Sequence, residues 1–150
     1  MKGVRLWQPN RCLLILVCLI LPGCSGCWGS DVKLGVVTGK LTIGGEPQEG
    51  IWINFMPDPA SGTSGGMSTA VTDNQGGFEL TYDPVPNAKG AAVGKHRVVL
   101  NDFRAENFRG GGRPPRSRIA EKYMLAVKTP IVLEVHEGSQ EIQIELNDYK

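Results

Sequence analysis

Apolar and polar residues alternate with a period of two along most of the chain beyond Val36. This pattern is typical of strands that bury one face. Seven stretches show it, separated by turns rich in glycine, and we expect their inner residues to form one core. The inner rows are Val37, Leu41 and Ile43; Ile51, Ile53 and Phe55; a small-residue stretch at 68–72; Phe78, Leu80 and Tyr82; His96, Val98 and Leu100; Ile131, Leu133 and Val135; and Ile142, Ile144 and Leu146.

Short strands with tight turns favour an antiparallel sandwich, because the chain has no segments that could serve as crossover helices. Only residues 119–125 suggest a helix, of about two turns. The sequence therefore predicts an all-β, seven-stranded antiparallel Greek-key sandwich over residues 35–148.

The N-terminal segment has a different pattern. Lys2, Arg5 and Arg11 form a basic head without acidic residues, and the ten residues 12–21 are continuously apolar. A membrane-spanning helix needs about 20 apolar residues. A basic head with a shorter apolar run is typical of a signal peptide, and we assign residues 1–23 to it.

Leu21-Pro22-Gly23-Cys24 resembles the lipobox of bacterial lipoproteins, although Pro22 is a less usual middle residue. The resemblance implies cleavage before Cys24, attachment of acyl chains to it, and a short tether over residues 24–34. It also implies a protein facing the periplasm or the cell surface, with the outer membrane favoured because Ser25, not an aspartate, follows the cysteine. An ordinary secretory signal, or acylation of Cys27, stays open.

The positions of the cysteines and the charge balance exclude some classes of function. All four cysteines lie at or before position 27, so no disulfide can cross-link the domain. A lipidated Cys24 would be unable to join Cys27 in redox chemistry. After removal of residues 1–23 the chain has 13 basic and 15 acidic residues, a net charge of −2. That balance argues against nucleic acid as a partner.

Several segments resemble the carboxypeptidase regulatory-like domain, a transthyretin-like sandwich common in planctomycete-type surface lipoproteins. The most specific element is the pattern Thr-Asp-x-x-Gly-x-Phe-x-Leu, present at 72–80, and similar stretches lie at 39–47, 51–57 and 94–98. The resemblance implies an accessory structural or binding module, without catalytic residues and without a cofactor.

Three patterns suggest other chemistry. Asp73 and Asn74 offer hard oxygens for calcium, but too few carboxylates lie nearby, and we interpret the segment as a turn stabilised by Asp73. Residues 62–66 match the letters G-x-S-x-G of a hydrolase nucleophile elbow without its strand and helix. His96 is expected in the core with one ring nitrogen hydrogen-bonded, and His136 at the surface.

Residues 102–118 contain five arginines against Asp102 and Glu106, a local charge of +3. Glycine and proline runs should prevent regular structure there. The arginines are Arg104, Arg109, Arg113, Arg116 and Arg118. Because arginine recognises phosphate and carboxylate, one hypothesis is an anionic partner such as phospholipid, lipopolysaccharide or an acidic glycan. A solvated mobile loop is the simpler interpretation, and the sequence favours it.

Trp52 lies on the outward face of its strand beside Asn54 and Met56. An exposed tryptophan can stack on a sugar ring, or it can pack against neighbouring side chains. The sequence leaves both interpretations open.

The sequence as a whole predicts a membrane-anchored cell-envelope lipoprotein with a non-catalytic structural or binding domain. The expected partners are membrane lipid through Cys24 and an anionic envelope component or envelope protein, with no metal or other cofactor. A carbohydrate-binding or transport accessory module is one alternative, and a hydrolase with an unrecognised site is another. The oligomeric state stays open.

Overall fold

Ten strands form two five-stranded sheets in residues 32–147, the part of the chain that the computed structural model describes. The first sheet contains β1 (Leu34–Ile43), β2 (Glu46–Pro47), β5 (Gly77–Glu79), β7 (Ala91–Ala92) and β10 (Gly138–Leu146). The second contains β3 (Ile51–Pro57), β4 (Ser68–Val71), β6 (Thr81–Tyr82), β8 (Gly94–Asp102) and β9 (Val132–Val135). The protein is therefore all-β, as predicted.

Side chains from both sheets form a single hydrophobic core. Leu41 of the first sheet and Ile53, Phe55 and Leu100 of the second are completely buried in it. The predicted inner rows are confirmed, with Ile131, Leu133 and Ile142 only partly buried at the margin of the core. Strict alternation identified these residues because each strand buries one face.

The prediction of a wholly antiparallel sandwich was wrong at one pair of strands. β1 and β10 run parallel, with Gly35 opposite Gly138 and Ile43 opposite Leu146. A parallel pair needs a long crossover connection, usually a helix, because the chain must return to the same end of the sheet before the second strand begins. Here the remaining strands form the connection, so no helix is needed.

The stretch that contains Phe78 and Tyr82 was expected to form one strand. The structure divides it at Leu80, so that β5 pairs with β1 in the first sheet and β6 pairs with β4 in the second. Two short strands, β2 and β7, also add to the first sheet. Residues 32–147 therefore contain ten strands rather than the predicted seven.

Helical structure is brief in the described residues. The predicted helix at 119–125 is reduced to a 3₁₀ turn at Glu121–Tyr123, and a second 3₁₀ turn covers Pro59–Ser61. A short helix, α1 (Phe103–Glu106), begins directly after β8, where the sequence predicted no regular structure. Among residues 32–147, no helix has the length and hydropathy required to cross a membrane.

The turn before β5 confirms the predicted role of Asp73. Its Oδ1 accepts hydrogen bonds from the backbone N–H groups of Gln75 and Gly77, both at 2.8 Å. Gly76 has a φ of +74°, which favours glycine. The Gly76 carbonyl accepts a hydrogen bond from the Leu41 N–H at 2.8 Å, which fixes the turn to β1.

Candidate functional site

Asp102, the last residue of β8, holds both ends of the arginine loop, the name used here for residues 103–117. Its side chain is nearly completely buried. Oδ1 accepts a hydrogen bond from the Arg104 N–H at 3.2 Å, which caps α1, and Oδ2 accepts one from the Arg118 N–H at 3.0 Å. One carboxylate therefore fixes the point where the loop leaves the sheet and the point where it returns.

Arg118 binds the same carboxylate through its guanidinium group. Its Nε donates to Asp102 Oδ2 and its Nη2 to Asp102 Oδ1, each at 2.8 Å, an arrangement that aligns two charge-assisted hydrogen bonds. Nη1 also donates to Gln48 Oε1 at 3.2 Å, and Nη2 to the Glu49 carbonyl at 3.0 Å. The pair thus joins the end of the loop to the turn between β2 and β3.

Both members of the pair are held in their charged forms. Burial of the Asp102 carboxyl disfavours its ionisation, but the hydrogen bonds and charge of Arg118 outweigh that effect and lower its pKa below the ordinary 3.8. The hydrogen bond to Asp102 likewise raises the pKa of Arg118, in spite of partial burial. Because the two charges compensate each other, Arg118 adds little free positive charge to the loop.

The other four predicted arginines have a different environment. Arg104, Arg109, Arg113 and Arg116 are exposed, and none of them forms an ion pair with a residue of the described segment 32–147. Arg113 and Arg116, with the two prolines between them, line an open depression of about 610 Å³. The structure therefore separates Arg118, which fixes the loop, from four arginines that face solvent.

Positive charge is concentrated on the arginine loop. Residues 103–117 contain four arginines and Glu106, for a net charge of +3. The rest of the chain beyond residue 23 then has a net charge of −5. A neighbouring anion is consequently attracted to the loop and repelled by most of the remaining domain.

Trp52 lies near the start of the arginine loop, a proximity that the sequence did not reveal. As predicted, it points outward from β3, and 36% of its surface is exposed. Its ring also contacts Phe103 of α1 edge to face, with 6.1 Å between the ring centroids and 66° between the planes. The packing interpretation thus describes one side of the ring, and another side stays accessible to solvent.

His96 is a core residue, as predicted. Its ring is completely buried and tilted against Phe55, and its Nε2 lies 2.6 Å from the Ala92 carbonyl oxygen. Nδ1 makes no hydrogen bond of ordinary geometry within residues 32–147, and neither does the buried hydroxyl of Ser68. Burial lowers the pKa of His96, while the backbone groups of Ala92 and Phe55 oppose that shift.

The residues of the motifs that suggested other chemistry differ in burial, since Ser64 and His136 are exposed and His96 is completely buried. Residues 62–66 form a loop between the 3₁₀ turn Pro59–Ser61 and β4, so the serine in the G-x-S-x-G letters does not lie between a strand and a helix. His136 is exposed at the start of the turn into β10, whereas His96 is completely buried in the core. Within the described segment, no three His, Cys, Asp or Glu residues form a cluster suited to a metal ion.

The lipidation site predicted at Cys24 lies outside the described residues, and so does Cys27. No family model, curated protein or solved structure matches the chain. The resemblance to the carboxypeptidase regulatory-like domain therefore rests on the sequence motifs alone.

Sequence reasoning missed the role of Asp102, although the signal was present. The inner row of β8 includes His96, Val98 and Leu100, and the next inward position is Asp102. A carboxylate at a core position of an alternating strand indicates a buried cationic partner, because an unpaired buried charge is costly. No comparable signal identifies Phe103 or Glu106, which lie beyond the periodic part of the strand.

Proposed function

We propose that the chain is a lipid-anchored lipoprotein of the cell envelope whose β domain is a non-catalytic binding module. In this proposal Cys24 carries the acyl chains and the arginine loop binds anionic headgroups or other anionic envelope components. The observation that carries the second part is the exposure of four arginines, none of them in an ion pair within residues 32–147.

Arginine suits such a role because its guanidinium group donates paired hydrogen bonds to phosphate and carboxylate. A tether of residues 24–34 would keep the domain within a few nanometres of the bilayer, where headgroups are the nearest anions. An anionic membrane surface attracts each nearby basic residue by about 1 kcal/mol, within a screening distance of about 10 Å. Four such residues acting together supply about 4 kcal/mol, which corresponds to roughly millimolar affinity, and the lipid anchor would add to it by keeping the domain close.

The finer description of the fold also belongs to this proposal. We infer a Greek-key sandwich of the transthyretin-like, carboxypeptidase regulatory-like kind. The motif at 72–80 supports this inference, because Asp73 stabilises the turn through two backbone N–H groups and Phe78 and Leu80 enter the core. Modules of this kind act by binding rather than by catalysis, which agrees with the burial of His96 in the core and the exposure of Ser64 and His136.

The anchor is tested by mass spectrometry of the N-terminal peptide of the protein purified from bacterial membranes. We expect the peptide to begin at Cys24 and to carry a diacylglyceryl group, and we expect Cys24→Ala to abolish membrane retention. Cys27→Ala is the matched control and should leave retention unchanged. An N-terminus at another position, or an unmodified Cys24, would contradict the proposed anchor.

The arginine loop is tested by vesicle binding of the chain from residue 24 onward, carrying Cys24→Ser so that no acyl chain contributes. Replacing Arg104, Arg109, Arg113 and Arg116 by Gln should weaken binding to vesicles containing phosphatidylglycerol by about 100-fold or more, since each arginine contributes about 1 kcal/mol. Cosedimentation at increasing vesicle concentration measures the change, and pure phosphatidylcholine vesicles give the background.

The control variant replaces four exposed lysines by Gln at positions away from the loop: Lys40, Lys89, Lys95 and Lys128. It has the same net charge as the arginine variant but loses that charge elsewhere, and Lys89 and Lys128 also lose their exposed ion pairs with Glu79 and Glu121. We expect it to bind nearly as well as the unchanged protein. Equal weakening of the two variants would mean that net charge, rather than the arginine loop, determines binding.

A further inference from the structure

A shallow depression lies on the outer face of the second sheet, where β3 and β8 are adjacent. The pairing registers place Trp52 opposite Asn101, and Asn54 opposite Val99. The depression has a volume of about 300 Å³, at the lower end of the range of about 300–1,000 Å³ usual for small-ligand sites. Its lining consists of Trp52, Asn54, Met56, Met67, Val99, Asn101 and Glu106.

Phe103, the first residue of the arginine loop, supports the aromatic side of the depression. Phe103 lies against Trp52, and its own N–H donates a hydrogen bond to the Gly50 carbonyl at 3.1 Å. Asp102 caps the helix that carries Phe103. The Trp52 ring is therefore partly ordered before any ligand arrives, which reduces the entropy lost when a ligand packs on its exposed surface.

Polar groups stand beside the aromatic ring with hydrogen-bonding capacity to spare. Asn101 Nδ2 donates to Glu106 Oε1 at 2.5 Å, which orients both side chains and leaves the Asn101 carbonyl oxygen and the second Glu106 oxygen as acceptors. The Asn54 amide makes no side-chain hydrogen bond within the described residues. The depression thus combines an apolar floor with amide donors, amide acceptors and a carboxylate acceptor.

The charge of the depression indicates which ligands fit it. Glu106 is the only charged residue among those that line the depression, and none of the four solvent-facing arginines is among them. A carboxylate in this position repels anionic headgroups and acidic sugars, so the depression and the four solvent-facing arginines suit different ligands. A purely hydrophobic partner would bury Asn54, Asn101 and Glu106 without satisfying their hydrogen bonds, which is also unfavourable.

We propose that this depression binds a neutral oligosaccharide, with a sugar ring packed on Trp52 and its hydroxyl groups bonded to Asn54, Asn101 and Glu106. A pyranose ring has an apolar C–H face and a rim of hydroxyl groups, which matches an exposed aromatic surface surrounded by amides and a carboxylate. The proposal does not depend on the lipid anchor or on the four solvent-facing arginines.

The test uses the mature chain from residue 24 onward with Trp28→Phe, in which Trp52 is the sole tryptophan. An array of neutral and acidic glycans selects the probe, because multivalent display detects weak binding. The selected neutral oligosaccharide is then titrated against Trp52 fluorescence. We expect a saturable change in the chain that keeps Trp52. Isothermal titration calorimetry, which needs no fluorophore, measures the variants, and we expect affinity to be reduced at least about tenfold by Trp52→Ala and by Asn54→Ala and largely retained by Trp52→Phe.

Val132→Ala provides a matched control, because Val132 is a half-exposed apolar residue on the same sheet face outside the depression. We expect its affinity to equal that of the unchanged chain, and thermal unfolding of each variant verifies that it is folded. Absence of binding to every neutral glycan on the array would overturn the proposal. So would binding that survives both Trp52→Ala and Asn54→Ala, or a Trp52-dependent dimer detected by sedimentation in place of glycan binding.

Discussion

Replacing Asp102 by Asn is expected to lower the free energy of unfolding by about 3 kcal/mol. Removing one partner from a buried ion pair typically costs about 3–5 kcal/mol, because the other charge is left uncompensated. The Asp102 side chain is 3% exposed, but that of Arg118 is 27% exposed, so water can partly solvate the remaining guanidinium group. We therefore expect a value at the lower end of that range, measured by urea unfolding at neutral pH.

Glu79→Gln is the matched control for this prediction. Glu79 also forms an ion pair, with Lys89 at 2.9 Å. Because both side chains are exposed to solvent, that pair should contribute less than about 1 kcal/mol to the free energy of unfolding. A double-mutant cycle with Arg118→Gln separates the pair from other effects, and the two replacements should not be additive. If Asp102→Asn were no more destabilising than Glu79→Gln, Asp102 could not be the anchor of the loop.

Acid should weaken the same anchor. The pKa of Asp102 is lower in the folded protein than its ordinary 3.8, so the unfolded chain takes up a proton first as the pH falls. The stabilisation is therefore complete above pH 3.8 and disappears as the pH decreases through the folded pKa. The stability difference between the unchanged protein and Asp102→Asn should shrink accordingly in acid.

The alternation of apolar and polar residues predicted which side chains enter the core, because successive side chains of a strand point to opposite faces and only one face is buried. It could not predict that β10 pairs with β1, since the pairing of strands at opposite ends of the domain depends on the assembled sheets. The division at Leu80 was hidden for a similar reason. Phe78, Leu80 and Tyr82 are all buried, so the same alternation describes one strand or two short strands in different sheets.

The candidate sites were predictable only in part. Arg118 has the same residue type as Arg104, and only the position of Asp102 on the inner face of β8 distinguishes their roles. The outward direction of Trp52 followed from the sequence, but its contact with Phe103 depends on how α1 turns back over β3. Side-chain positions of this kind arise from tertiary packing, which local periodicity does not describe.

Gly39→Ala should destabilise the domain by about 3 kcal/mol and lower its melting temperature by about 10 °C. A Cβ at this position would overlap the Ile142 carbonyl oxygen of β10 and lie 2.6 Å from Phe78 Cζ. Alanine normally suits a strand better than glycine by about 0.5–1 kcal/mol, but a backbone atom at this contact cannot move without disturbing the β1–β10 pairing. Thermal unfolding followed by circular dichroism measures the loss.

Gly111→Ala is the control, because a Cβ at Gly111 would meet no atom within 4 Å. It should leave the melting temperature almost unchanged, which separates the steric effect from any general effect of replacing glycine. Hydrogen exchange adds a local measurement, since the parallel pairing predicts that Gly39→Ala weakens protection of the β10 amides that bond to β1. Equal melting temperatures for the two variants would contradict the close packing of β10 and Phe78 around Gly39.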